Sequence, residues 1–148
     1  MMLLDITTII FIGLLIGNEF AVLAFVNPVL WKLDDRAQVS ATRLFAARLG
    51  AAMPFWYALC LVLLLIETVL RRHESGFALL VTANAIWVAV ILLSVFVLVP
   101  INNRIARLTL DSPVERSLGE HKRWDRFHRI RVPALIGAFI CFLVATRP

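Results

Sequence analysis

Four long apolar runs organise this chain, at about residues 6–30, 49–70, 77–101 and 132–146. A hydrocarbon core of ~30 Å takes ~20 helical residues to cross. Lipid offers no water to satisfy backbone N–H and C=O groups, so a crossing segment must close its own hydrogen bonds or belong to a sealed barrel. The runs are read as helices. The expected fold class is therefore all-α, a membrane-spanning four-helix bundle forming a single domain over residues 1–148. Composition agrees: 61% of the residues are hydrophobic and the mean hydropathy is +0.87, too apolar for a soluble domain.

The fourth run holds only 15 residues, 132–146. It must extend into the preceding stretch, stand nearly upright or sit in thinner bilayer. That preceding stretch opens on Ser112-Pro113-Val114-Glu115, with a serine at N-cap, proline at the first helical position and glutamate at N3. The pattern predicts a cytoplasmic amphipathic helix before the fourth span, with a kink where Pro133 disfavours helical geometry at Val132.

The cations set the orientation. Lys32, Arg36, Arg43, Arg48, Arg104, Arg107, Arg116, Lys122, Arg123, Arg126, Arg129 and Arg131 flank one side, against Arg71, Arg72 and Arg147 on the other. Lys and Arg are retained on the cytoplasmic side, so both termini are expected to face away from it, in a plasma or inner membrane. The net charge of +5 reads as topology rather than nucleic-acid binding, because the basic residues border the apolar runs. Met1 to Asp5 carries no cation and the first run is long, so it reads as a retained span rather than a signal peptide. Cys60 and Cys141 lie inside apolar runs without ligand spacing and read as small buried hydrophobes.

Several polar residues sit where lipid would not tolerate them idly. Glu19, in the middle of the first span, costs on the order of 3 kcal/mol on insertion scales. With no opposite charge at its depth, it needs a proton, a partner or a wet cavity. Asn27 lies two turns further on the same face, and together they suggest a polar path to the cytoplasmic end. Gly13 and Gly17 start a roughly opposite small-residue stripe that could bring two copies of the chain together. Asn84 and Asn102 share a stripe on the third span, which closes with Asn102-Asn103-Arg104. Arg48 lies in an apolar stripe that could turn it inward, whereas Glu67 and Arg71 read as a surface ion pair.

Between His121 and Arg131, helical spacing puts His121, Trp124, His128 and Arg131 on one face. Lys122, Arg126 and Arg129 lie elsewhere and suit anionic lipid headgroups. The polar face could present an imidazole and a guanidinium to a ligand, or Trp124 could simply anchor an interfacial helix. His121 and His128 are seven apart, which is not the spacing of a helical metal pair, and no metal site is expected. No phosphate-binding loop, dinucleotide fingerprint or catalytic triad order is present. A cavity emerges from these residues, with Glu19 as floor and Asn27, Asn102, Asn103, Arg104, Trp124, His128 and Arg131 around its mouth.

The acidic and Asn-containing first span, Pro100-Ile101-Asn102-Asn103-Arg104, and Trp124-x-Arg126-x-His128-x-x-Arg131 together resemble the anthrone oxygenase-like family of small four-helix membrane proteins. The similarity covers nearly the whole chain. It implies oxidation of an anthrone-type polyketide to a quinone by dioxygen, without an evident organic cofactor. Such chemistry needs a base and a cation to hold the anion it forms. His128 or Glu19 would be the base, Arg131 or Arg104 the cation and Trp124 a flat wall. Relatives are expected to carry asparagine where this chain has His128, so the resemblance does not itself make that histidine catalytic. The rival reading is a non-catalytic protein that binds an apolar lipid or quinone, or packs within a larger membrane complex. A transporter fits less well, since four spans without a half-repeat leave little room for alternating access.

Overall fold

The computed structural model describes residues 1–108 and 113–147. It contains four long helices: α1 Met2–Leu30, α2 Asp35–Leu70, α3 Phe77–Ala106 and α4 Val114–Ala145. Each is long and apolar enough to cross a membrane, and among the described residues there is no strand. The chain is an integral membrane protein with the fold of a four-helix bundle. Its outer surface carries the apolar side chains that lipid requires, such as Phe55 at 79% exposure and Phe96 at 74%.

The helices outrun the apolar segments that announce them. Asp34 caps α2 by accepting the Ala37 N–H at 3.1 Å, fourteen residues or so before the apolar run begins. The fourth run is the outer part of a 32-residue helix that continues unbroken through Pro133. At 1.5 Å per residue α4 is ~48 Å long, so the apparent shortness of the last span disappears. Separate amphipathic and spanning helices are one helix here. Its basic, polar part earns its helical state by packing a buried face of Ser117, His121, Asp125 and His128 on the other helices. Glu115 falls in its first turn, while the expected N-cap Ser112 lies outside the described residues.

One main core joins all four helices through Leu15, Leu64, Trp87, Leu135 and Phe142. Gly76 carries the α2–α3 turn against the end of α4, where a Cβ would strike the Ala145 backbone. Gly13 and Gly17 face open space, so the bundle does not use the small-residue stripe internally.

Two local distortions shape α1 and α3. Each widens into a π-helical turn, Val22–Val26 in α1 and Ser94–Leu98 in α3. Pro28 and Pro100 each follow two residues after such a turn. Proline lacks an N–H and crowds the carbonyl four residues back, and the wider turn relieves that clash without breaking the helix.

At the end away from the α3–α4 connection lies a buried ionic cluster. Arg71 bonds Asp5 at 2.7 Å, Glu74 at 2.9 Å and Glu67 at 3.2 Å. Glu67 is fully buried and also accepts from Thr8. The expected surface pair of Glu67 and Arg71 is thus an interior clamp, because α1 lies over it and brings Asp5. Burial works against the Arg71 charge, yet the bonds to Asp5, Glu67 and Glu74 outweigh it and raise its pKa above the ordinary guanidinium value.

Candidate functional site

Ile12, Leu15, Glu19 and Val22 form the buried face of α1 at helical spacing. Glu19 is therefore carried into the bundle at 2% exposure, where α2 and α4 supply partners. The hydroxyl of Tyr57 donates to its Oε1 at 3.0 Å, and Arg131 Nη2 donates to Oε2 at 2.6 Å. His128 Nδ1 lies 3.2 Å from the same Oε2. The sequence places no opposite charge at the depth of Glu19, but the continuous α4 brings the guanidinium there.

His128 is fully buried and both its ring nitrogens are engaged. Nε2 lies 3.2 Å from the carbonyl oxygen of Glu19 and Nδ1 lies 3.1 Å from Arg131 Nη2. A carbonyl only accepts, so Nε2 carries a proton; Nδ1 lies between a donor, Arg131 Nη2, and an acceptor, Glu19 Oε2, and accepts from Arg131 when the ring is neutral. The imidazole thus ties α4 to the α1 backbone and steers the guanidinium. Arg131 also donates from Nη1 to Ser94 Oγ at 3.3 Å and lies over the Tyr57 ring, 5.5 Å from its centroid. Its buried Nε–H has no acceptor among the described residues.

These groups border a cavity of 310 Å³ between the four helices, at the small end of the ~300–1,000 Å³ typical of small-molecule sites. Met53, Leu61, Ile91 and Leu98 make its walls largely apolar, and Trp124 stacks on His128 at 4.6 Å between centroids. Asn102 closes one end and donates to the Ala46 carbonyl at 2.7 Å. It ties α3 to α2 rather than capping its own helix. Both π-helical turns reach this space, through Val22 of α1 and through Ser94, Val95 and Leu98 of α3. A paired acid, a cation with a spare donor and a flat aromatic wall can hold a planar, weakly polar molecule and accept a proton from it.

Glu19, Asn102, Trp124, His128 and Arg131 come together at this cavity. Asn27, Asn103 and Arg104 do not. Asn27 donates to Asp125 at 2.7 Å and borders a separate space of 40 Å³. Asn103 is exposed, and Arg104 is held by both carboxylate oxygens of Glu120 at 2.9 and 3.0 Å. His121 leaves the shared face too, stacked on Trp31 and 3.2 Å from Gln38. Arg48 stays exposed because the inward face of α2 near it belongs to Ala46. Tyr57 and Ser94 are the additions. Tyr57 is the only tyrosine in the chain and sits in mid-span, a signal that composition alone could have raised. Cys60 is buried, Cys141 is half-buried, and both are free thiols.

Among the described residues no group of three or more His, Cys, Asp or Glu side chains is arranged to hold a metal ion. A family model described as anthrone oxygenase matches residues 41–141, more than half of the chain. The chain belongs to the anthrone oxygenase family. The matched interval includes Tyr57, Ser94, Asn102, Trp124, His128 and Arg131, but Glu19 precedes it. The parts of α2, α3 and α4 within the matched segment converge on a carboxylate that α1 supplies from outside it. No curated protein and no solved structure gives a match.

Proposed function

We propose that this protein is a membrane oxygenase that uses dioxygen to convert an apolar anthrone-like substrate into a quinone inside the 310 Å³ cavity. The observation that carries the reading is the pairing of the Arg131 guanidinium with the Glu19 carboxylate on the wall of the cavity. A phenolate oxygen fits beside that cation, and membership of the anthrone oxygenase family supports the substrate class.

Glu19 is the better base of the two candidates. A carboxylate has about four lone-pair positions, so its bonds to Tyr57 and Arg131 leave it able to accept a proton. Both nitrogens of His128 are already used, which makes it a positioning residue. Glu19 takes a proton from the substrate methylene, and the charge delocalises onto the ring oxygen facing Arg131. The electron-rich anion passes electrons to dioxygen and a C–O bond forms. The proton on Glu19 moves to the outer oxygen and gives a hydroperoxide. Removal of the second proton from that carbon breaks the O–O bond, leaving a ketone and hydroxide, and the proton converts hydroxide to water. Two C–H bonds are lost, one C=O bond is gained, and dioxygen ends as the new carbonyl oxygen and one water.

The test is oxygen uptake and quinone absorbance when purified protein in lipid nanodiscs meets anthrone. Turnover above autoxidation is expected, falling ~10²- to 10⁴-fold in Glu19→Gln. A wild-type rate no higher than autoxidation removes this substrate class, and an unchanged Glu19→Gln rate removes Glu19 as base. The side of the α3–α4 connection is taken as cytoplasmic on its cations. A reporter fused after Arg147 should then read as non-cytoplasmic.

A further inference from the structure

We infer that the cavity opens sideways into the bilayer, through a window between α2 and α3, and that Ala58 and Val95 on its two lips control the passage of flat apolar molecules. The substrate class rests on the proposed function; the location of the window rests on the packing of the two helices.

The two antiparallel helices are clasped at two levels. On one side of the cavity, Asn102 donates to the Ala46 carbonyl, and Gly50 lets the Asn102 side chain lie where a Cβ would strike it. On the other, the Trp87 indole donates to the Tyr57 carbonyl at 3.2 Å, and beyond it Asn84 donates to Thr68 at 2.7 Å. Antiparallel counting between these clasps sets the stretch near Gly50 and Pro54 opposite the π-helical turn Ser94–Leu98.

Residues in that stretch both line the cavity and face outward. Gly50, Pro54 and Ala58 form one exposed stripe of α2 at four-residue spacing, and Val95 and Val99 form the matching stripe of α3. Residues that only walled an enclosed chamber would be buried, yet Val95 is 52% exposed. The α2 lip carries a glycine, a proline and an alanine, so little side-chain volume fills the gap. On α3 the widened turn directs Ser94 toward Arg131 while Val95 remains on the outer surface. At this depth the surrounding medium is hydrocarbon. An apolar planar molecule dissolved there reaches Arg131 and Trp124 without crossing a polar layer.

A residue on a lip obstructs arrival and departure alike, whereas a residue that binds changes the equilibrium. The experiment follows tryptophan quenching by 1,4-naphthoquinone in nanodiscs, with Trp124 as the cavity reporter, by rapid mixing. In Ala58→Phe/Val95→Phe the association and dissociation rates should both fall roughly tenfold, with the Kd within about twofold of wild type. Ile140→Phe, on the lipid face of α4, should change neither. Undiminished rates in the double variant, or an equal slowing in Ile140→Phe, overturn the window. Absence of saturable quenching in the wild-type protein overturns it as well. Saturable quenching with the predicted slowing but no anthrone turnover leaves the window standing and removes the oxygenase reading. Turnover with unslowed exchange does the reverse.

Discussion

Two buried arginines, Arg71 and Arg131, sit at different depths of the bundle in similar company. Each reaches a carboxylate of a neighbouring helix or turn, and each pairs with an acid on α1, Asp5 or Glu19. They differ in saturation. Arg71 spends Nε, Nη1 and Nη2 on three separate carboxylates. Arg131 spends its two terminal nitrogens on Glu19, His128 and Ser94, retains an unpartnered Nε–H, and faces a cavity. A satisfied charge cluster in a packed environment fastens helices. One that is left an acceptor short on the wall of a cavity suits the proposed role of holding a molecule that is not part of the chain.

Breaking the first cluster should cost stability. Arg71→Met strands Glu67 in the interior with Asp5 nearby, and loss of one partner from a buried pair costs about 3–5 kcal/mol. Thermal unfolding in detergent should shift accordingly, while saturable naphthoquinone quenching by the folded fraction stays as in wild type. A lost quenching signal in folded Arg71→Met would mean that the two clusters are coupled. In the second cluster, Arg131→Lys retains a charge but not the fork of donors, and turnover should fall roughly 10²-fold as for loss of one anion-stabilising donor. Its melting temperature should move less than that of Arg71→Met, and the reverse order would erase the distinction between clamp and site.

A finer test concerns His128. If its work is to hold Arg131 and the α1 backbone, His128→Gln can still donate to the Glu19 carbonyl that Nε2 reaches, and turnover should fall by less than about tenfold, the worth of one ordinary hydrogen bond. His128→Ala should fall further. Equal and large losses in both would return the imidazole to the role of base. Least of all should be seen in Gly17→Leu. Its Cβ meets nothing in the bundle, so stability should change by no more than about 0.5 kcal/mol. A change in oligomeric mass in that variant would identify the stripe as an interface between copies.

The membrane helices were legible because lipid imposes a length on apolar runs. Polar partners were harder to read. Glu19 announces itself by being charged in mid-span, and Arg131 is legible as a cation at the mouth of its cavity, but that the guanidinium reaches the depth of Glu19 shows only once α4 proves continuous. Glu67 and Arg71 are four apart and suggest a local pair; nothing in their spacing says that Asp5 closes over them. Asn27, Asn103 and Arg104 have suitable chemistry near the right end of the bundle, yet helix rotation and the local acids Asp125 and Glu120 direct them elsewhere. Direction around a helix axis is poorly encoded in a run where nearly every residue is apolar. It is less predictable still where a π-helical turn intervenes.

Those turns act as angular gears. In an ordinary α-helix each residue advances the chain by about 100° and 1.5 Å, so one extra residue accommodated in a wide turn re-aims everything beyond it while hardly altering the length of the span. Excising one residue from Val22–Val26 would leave α1 able to cross the membrane but swing Asn27 away from Asp125 relative to Glu19. The same excision in Ser94–Leu98 would swing Asn102 away from Ala46 while Trp87 stayed in place. A chain with so little polar material can thus obtain two differently directed surfaces from one straight helix by a change in phase.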